Sequence, residues 1–196
     1  MNIELSPRAT EIVSCARALL ASGGYNSFSY ADISKSVGIS KASIHHHFPS
    51  KAELVKTVLV QYREEARAGM ALLIDRISDP ILQLQAYVGY WETCISEGDS
   101  LFCICAMLAA ELPSIPSSVA EEVQGHFLDL ADWLASVLEN GVSQGSIILQ
   151  DNPKDEAMVF MSTVHGAMLA ARACGDPKVF TKIVQLLVHK LKPNNE

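Results

Sequence analysis

The sequence predicts an all-α protein, in which an N-terminal three-helix domain with a helix-turn-helix precedes a larger helical domain. Apolar residues recur at intervals of three and four along most of the 196 residues. No segment alternates apolar and polar residues for long enough to build a sheet, and residues 146–149 come nearest. We expect residues 1–52 to form the first domain and residues 53–196 the second.

The stretch SYADISKSVGISKASIHHHFPSK, residues 29–51, predicts two short helices separated by a single glycine. Ile33 and Val37 lie on one face of the first helix. Gly38 can adopt the positive φ that a tight turn between helices requires, and Ser29 and Ser40 are placed to cap the first and the second helix. This order is typical of a helix-turn-helix, whose second helix enters the major groove of DNA. An ordinary helix pair joined by a glycine is the alternative at this point.

The same region resembles the DNA-binding domain of TetR-type (tetracycline-repressor-like) transcriptional regulators. The matching segments are IVSCARALL at 12–20, GGY at 23–25, ADISKSVGISK at 31–41 and HFPSKAEL at 47–54. The resemblance implies a repressor that binds a double-stranded, palindromic DNA operator and that a small-molecule effector releases. It also implies a homodimer formed through the last two helices.

Eight residues are candidate DNA contacts. Helix starts expose N–H groups that favour a phosphate, and the resemblance places the second helix in the groove. Where such regulators commonly carry a tyrosine pair, this sequence has His45 and His46, whose imidazoles can donate hydrogen bonds to phosphate. Because histidine titrates near neutrality, we expect DNA affinity to depend on pH. The candidates are Ser29, Tyr30, Lys41, Ala42, Ser43, His45, His46 and Lys51.

The charge distribution agrees with this expectation. The chain has a net charge of −7, yet residues 1–56 carry six Lys and Arg against four Asp and Glu, which leaves +2. The remaining residues carry nine and eighteen, which leaves −9. Positive charge is therefore concentrated where phosphates are expected.

Composition argues against several other classes of protein. The five cysteines are odd in number and no secretion signal is evident, so we expect reduced thiols in the cytoplasm. The charge-free stretch 157–171 is too short to span a bilayer, so no membrane segment is expected. Three consecutive histidines at 45–47 point about 100° apart on a helix and cannot converge on one metal ion. We expect neither a metal nor a cofactor.

The helical body predicts an effector pocket only weakly. Pro113 should end a helix that begins at Leu101, and the Gly141 and Gly175 positions predict helix ends. The last two helices are apolar on more than one face, which a central position or a dimer interface explains equally well. Methionines and aromatic residues at helical spacing usually pack in a core, so a core role is the more common explanation for each pocket candidate. The candidates are Tyr87, Trp91, Cys105, Met107, Phe127, Met161, His165 and Met168.

Two alternatives to effector release stay open. The Cys103-Ile104-Cys105 segment allows a repressor that is switched by oxidation or electrophile modification, with Cys105 as the sensing thiol. A helical interaction protein without DNA binding is the alternative of another class. No nucleophile elbow, glycine-rich phosphate loop or helical two-histidine motif is present, so we do not expect an enzyme.

Overall fold

The computed structural model describes residues 5–96 and 102–193, and these residues form nine α-helices and two short 3₁₀ helices. The α-helices are α1 (Pro7–Gly23), α2 (Tyr30–Val37), α3 (Lys41–His47), α4 (Lys51–Arg76), α5 (Pro80–Ser96), α6 (Ile104–Ala109), α7 (Ser117–Ser143), α8 (Pro153–Cys174) and α9 (Lys178–Lys190). The 3₁₀ helices are Tyr25–Ser27 and Leu112–Ser114. No β-strand occurs in the described part of the chain, and the predicted all-α fold is confirmed.

Two compact units make up the chain. The first contains Met1–Glu65 and Ser100–His126, and the second contains Ala66–Asp99 and Phe127–Glu196. In the first unit α6 packs against α1, although about 80 residues of sequence separate them. In the second unit α9 packs against both α8 and α5. Helices α4 and α7 each contribute one part to either unit.

Helix ends follow the predicted capping chemistry at most positions. Asn152 caps α8 through its side chain, which accepts from the Asp155 N–H at 3.1 Å. Gly175 ends α8 in the left-handed region, at φ 61°. Gly175 acts as predicted, because a glycine tolerates positive φ, and the Asn152 side-chain oxygen satisfies a free N–H at the other end of the helix.

Two predicted helix ends are wrong. Helix α7 continues through Gly141 to Ser143, and the positive φ of 70° falls on Gly145. Gly141 serves packing instead, because a Cβ there would lie 2.3 Å from Ile147 Cδ1. Helix α6 ends at Ala109, before the predicted stop at Pro113, and Leu101 lies outside the described residues.

Candidate nucleic-acid interface and effector site

The turn between α2 and α3 has the geometry that a helix-turn-helix requires. Gly38 lies in the left-handed region at φ 71° and ψ 33°, and its N–H donates to the Ser34 carbonyl at 3.0 Å. The Ser34 hydroxyl donates to the Ile39 carbonyl at 2.5 Å and holds the far side of the turn. Ile33 and Ile44 are fully buried beneath the two helices. These contacts fix the angle at which α3 leaves the turn.

Capping hydrogen bonds define the start of each of these helices. The Ser29 N–H donates to the Asp32 carboxylate at 2.7 Å, and the Ser29 hydroxyl accepts from the Ala31 N–H at 3.2 Å. This hydrogen bonding from Ser29 lowers the pKa of Asp32. The Ser40 hydroxyl accepts from the Ser43 N–H at 3.1 Å. The predicted caps are confirmed, and each removes one unsatisfied donor from a short helix.

Helix α3 presents a polar face to solvent. Lys41, Ala42, His45 and His46 are exposed, Ser43 is half-buried, and Ile44 points into the core. A face of this kind can meet phosphates and base edges without breaking the packing of the domain. The five predicted contacts on α3 therefore share one accessible helix, although their contact with DNA stays a prediction.

His45 is oriented by a hydrogen bond to the backbone. Its Nδ1 lies 3.2 Å from the Pro49 carbonyl oxygen, and its ring meets the Tyr30 ring with centroids 4.7 Å apart. Because a carbonyl only accepts, this bond requires a proton on Nδ1. Nε2 is then an acceptor when the ring is neutral and a donor when the ring is charged. Only the charged ring can donate to a phosphate from Nε2.

Tyr30 and Lys51 use their polar side-chain atoms inside the domain. The Tyr30 hydroxyl donates to the Phe48 carbonyl at 2.8 Å, and burial raises the pKa of Tyr30 to about 12. The Lys51 ammonium donates to the Tyr25 carbonyl at 2.5 Å and to the Phe28 carbonyl. Any phosphate contact by these two residues therefore involves the N–H groups at the starts of α2 and α4, which is how the sequence predicts it.

Glu111, which the sequence does not connect with the helix-turn-helix, holds the turn that precedes α2. Its carboxylate accepts from the Tyr25 N–H at 2.5 Å and from the Asn26 N–H and side-chain amide, both at 3.1 Å. Gly24 lies against the same carboxylate at φ 83°, and a Cβ there would be 2.3 Å from Glu111 Oε2. Lys51 binds the carbonyl side of this turn, so a carboxylate and an ammonium hold its two polar sides.

Two buried thiols lie in the first unit. Cys103 Sγ accepts from the Tyr62 hydroxyl at 3.5 Å and lies 3.9 Å from His126 Nε2. Burial raises the pKa of Cys103, and it raises that of Cys105 well above the ordinary value. Arg63 acts in the opposite direction on Cys105, but burial outweighs it. Because a reactive thiol needs thiolate character and exposure, this arrangement works against the cysteine-switch alternative, which stays a prediction.

Six effector candidates belong to the second unit, whereas Cys105 and Met107 belong to the first. The Tyr87 ring lies 5.5 Å from the ring of Trp133, and the Phe127 ring lies 5.1 Å from that of His165. Trp133 is absent from the sequence-based candidates, although it is one of only two tryptophans in the chain. Trp91, Met161 and Met168 are buried, which agrees equally with a core role.

The described ranges 5–96 and 102–193 contain no group of three His, Cys, Asp or Glu side chains that could hold a metal ion. Helix α8 is long and apolar enough to cross a membrane by length and composition, and 39% of its most apolar 18-residue window is buried. This signal is weak, because core helices of soluble proteins meet the same criterion.

Comparisons with known proteins agree with the helix-turn-helix. Residues 12–58 match the family model for bacterial regulatory proteins of the tetR family, and residues 80–187 match that for the tetracyclin repressor-like C-terminal domain. The HTH-type transcriptional regulator UidR of Escherichia coli K12 is 25% identical over 172 residues, which cover 86% of this chain and 83% of UidR.

Solved structures give the same result. A TetR-family regulator from Agrobacterium tumefaciens is 53% identical with a TM-score of 0.93, covering 95% of this chain and 98% of its own. A TetR regulator from Legionella pneumophila is 27% identical with a TM-score of 0.85, covering 97% of this chain and 100% of its own. The reduced form of E. coli NemR, at 17% identity and a TM-score of 0.86, covers 97% of this chain and 100% of its own and shares the fold. This chain belongs to the TetR family of helix-turn-helix transcriptional regulators.

Proposed function

We propose that this protein is a cytoplasmic repressor that binds a palindromic double-stranded DNA operator as a homodimer and leaves it when a small-molecule effector binds. Residues 1–52 contact DNA, and residues 53–196 hold the effector and the dimer interface. The observation that carries the proposal is the exposed polar face of α3, held by buried isoleucines below and by a glycine turn before it. Membership of the family supports the same mechanism.

DNA recognition divides between two kinds of contact. Lys41, Ser43 and His46 lie on α3 and meet base edges and the adjacent phosphates, while Ala42 offers its methyl group to a thymine. His45, whose Nδ1 is held by Pro49, donates to a phosphate from Nε2 when it is protonated. Backbone N–H groups at the starts of α2 and α4 bind further phosphates.

Dimerisation uses the exposed apolar faces of α8 and α9. Val159 and Leu169 on α8 are 56% and 53% exposed, and Leu186 on α9 is 61% exposed. Between the two α8 residues lies Gly166, around which nothing would lie within 4 Å of an added Cβ. Small residues between large apolar ones allow another helix to approach closely, so this surface suits the same helices of a second copy.

The effector releases the protein from DNA by shifting the equilibrium between two conformations of the dimer. The effector binds the helical body more tightly in the state whose two α3 helices are wrongly spaced for the operator. Its influence on DNA affinity can be no greater than the ratio of its affinities for the two states.

The test of DNA binding starts from duplexes selected from a random pool by the purified protein. Fluorescence anisotropy should show that affinity for the selected duplex falls steeply with salt, as expected when Lys and Arg displace counterions. The Lys41→Ala and His46→Ala double variant should lose sequence preference. The same changes should leave helicity intact, because both side chains are exposed. Equal affinity of both proteins for the selected duplex would contradict the proposal.

The dimer is tested by sedimentation of the Leu169→Glu variant, which should be monomeric because it buries a charge in the interface. Ile74→Glu is the matched control, since Ile74 on α4 is 51% exposed and outside the proposed interface. A monomeric native protein at micromolar concentration, or a dimeric Leu169→Glu variant, would contradict the proposed interface.

A further inference from the structure

Three polar atoms in the second unit are buried with no hydrogen-bond partner in the described part of the protein. They are Nε1 of Trp91, Nε1 of Trp133 and Nε2 of His165. The three residues are 7%, 7% and 8% exposed. An unsatisfied buried polar group costs about 1–3 kcal/mol, and native proteins leave few of them. A binding partner from outside the chain would satisfy them.

Aromatic contacts link the three helices that carry these atoms. Trp91 follows Tyr87 by one turn of α5, and the Tyr87 ring lies 5.5 Å from the Trp133 ring on α7. Phe127, also on α7, lies 5.1 Å from the His165 ring on α8. Helix α7 is thus in aromatic contact with both α5 and α8, and all three polar atoms belong to this group of helices.

The chemistry of the three atoms limits what can bind them. His165 Nδ1 lies 2.9 Å from the Met161 carbonyl oxygen, which only accepts, so Nδ1 carries the proton. Burial lowers the pKa of His165 and keeps the ring neutral, so Nε2 is an acceptor. An indole N–H only donates. The complementary ligand therefore supplies one donor and at least one acceptor, and a single hydroxyl group does both.

Burial also limits the charge of the ligand. The buried polar or charged residues among those described are Gln83, His126 and His165, and none is an acid, a lysine or an arginine. A charged molecule would lose its hydration among these helices without an opposite charge to compensate, which is costly. The aromatic rings suit an apolar body.

We propose that α5, α7 and α8 bind an uncharged, largely apolar molecule with a hydroxyl group, which donates to His165 Nε2 and accepts from an indole N–H. The inference rests on the proposed function, because it names the chemical class of the effector. Phenols and apolar alcohols belong to this class, whereas carboxylates and ammonium compounds do not.

The test uses intrinsic fluorescence, because the chain has only two tryptophans and both belong to the proposed site. The probes are a size-graded panel of phenols, each with its hydrocarbon and its carboxylate analogue. At least one phenol should change the fluorescence saturably and bind about tenfold or more tightly than its hydrocarbon, as expected for one buried hydrogen bond. The carboxylates should not bind measurably. Tight carboxylate binding, or no saturable response to any phenol, would overturn the inference.

Variants of His165 separate a ligand contact from a structural role. His165→Leu should reduce the preference for phenol over hydrocarbon to about one, because it removes the acceptor. His165→Gln, which keeps an acceptor oxygen, should restore part of the preference. An unchanged preference in both variants would overturn the inference.

DNA binding distinguishes the failure of this inference from failure of the proposed function. If the protein binds its selected duplex but no phenol, buried water satisfies the three atoms and only the effector class is wrong. If phenols bind but no duplex is selected, the repressor function is wrong. If phenols bind and weaken operator binding, both are supported.

Discussion

Glu111 offers the sharpest test of how the DNA-binding domain is held in place. Glu111→Gln keeps the shape of the side chain but replaces one carboxylate oxygen with an amide nitrogen. If Oε2 is replaced, two donors face each other at the Tyr25 N–H, now hydrogen-bonded at 2.5 Å. If Oε1 is replaced, the same conflict arises at the N–H groups of Asn26, both at 3.1 Å. Neither orientation of the glutamine amide can accept hydrogen bonds from all of these donors.

The size of the effect follows from these contacts. A hydrogen bond to a charged group contributes about 1.5–3 kcal/mol, and partial exposure of Glu111 reduces that to about 1–2 kcal/mol. For a chain of this size, each kcal/mol lowers the melting temperature by roughly 2–4 °C, so a fall of about 2–8 °C is expected. Operator affinity should also fall, because the held turn leads directly into the Ser29 cap of α2.

The assay is urea unfolding and thermal melting of Glu111→Gln beside a matched Glu121→Gln control. Glu121 is an exposed acid on α7, and its replacement should change the free energy of unfolding by less than about 0.5 kcal/mol. Gly24→Ala should resemble or exceed the Glu111 variant, because the added methyl collides with the same carboxylate. If Glu111→Gln has the same melting temperature as the Glu121→Gln control and the operator affinity of the native protein, the proposed role of Glu111 is refuted.

Three further predictions test other parts of the account. Replacing both His45 and His46 by tyrosine should flatten the dependence of operator affinity on pH, because only a protonated imidazole donates from Nε2 at His45. Fluorescence anisotropy across neutral pH measures this dependence, and an unchanged slope would contradict the prediction. Ser29→Ala should destabilise the protein by about 1 kcal/mol in urea unfolding through loss of a cap, whereas Ser36→Ala, at an exposed position within α2, should not; equal effects would argue against the cap. Burial lowers the pKa of His165 below its ordinary 6.5, so as the pH falls the unfolded state binds this proton before the folded state does. The free energy of unfolding should therefore decline as the pH falls below about 6.5. His165→Gln should lose that part of the decline, and an identical pH profile in the variant would be inconsistent with a neutral buried ring.

The helix-turn-helix could be predicted from the sequence because its determinants are local. Gly38, Ser29 and Ser40 act within a few residues of their own position, and the structure gives each the predicted role. The end of α7 could not be predicted in this way. Gly141 resembles a terminator, yet it is required by the approach of Ile147, and such packing depends on how the chain folds back.

The contacts of Glu111 show that part of the candidate site also could not be predicted from local sequence patterns. Glu111 acts on Tyr25, 86 positions earlier in the chain, and no sequence periodicity connects the two. Tyr30 has a polar side chain at a helix start, but only the structure shows that its hydroxyl is already bound to the Phe48 carbonyl. Pairing of this kind depends on tertiary contacts, which a single sequence does not encode in its local pattern.

The central claim is that α3 of each subunit enters the major groove of one operator half-site. Methylation of guanine N7 in the selected duplex tests it most directly, because N7 lies in the major groove. We expect methylation to block binding at two clusters of guanines about 34–36 Å apart along the duplex, one for each subunit. Binding that tolerates N7 methylation throughout the site, or that is blocked at a single cluster, would contradict the account.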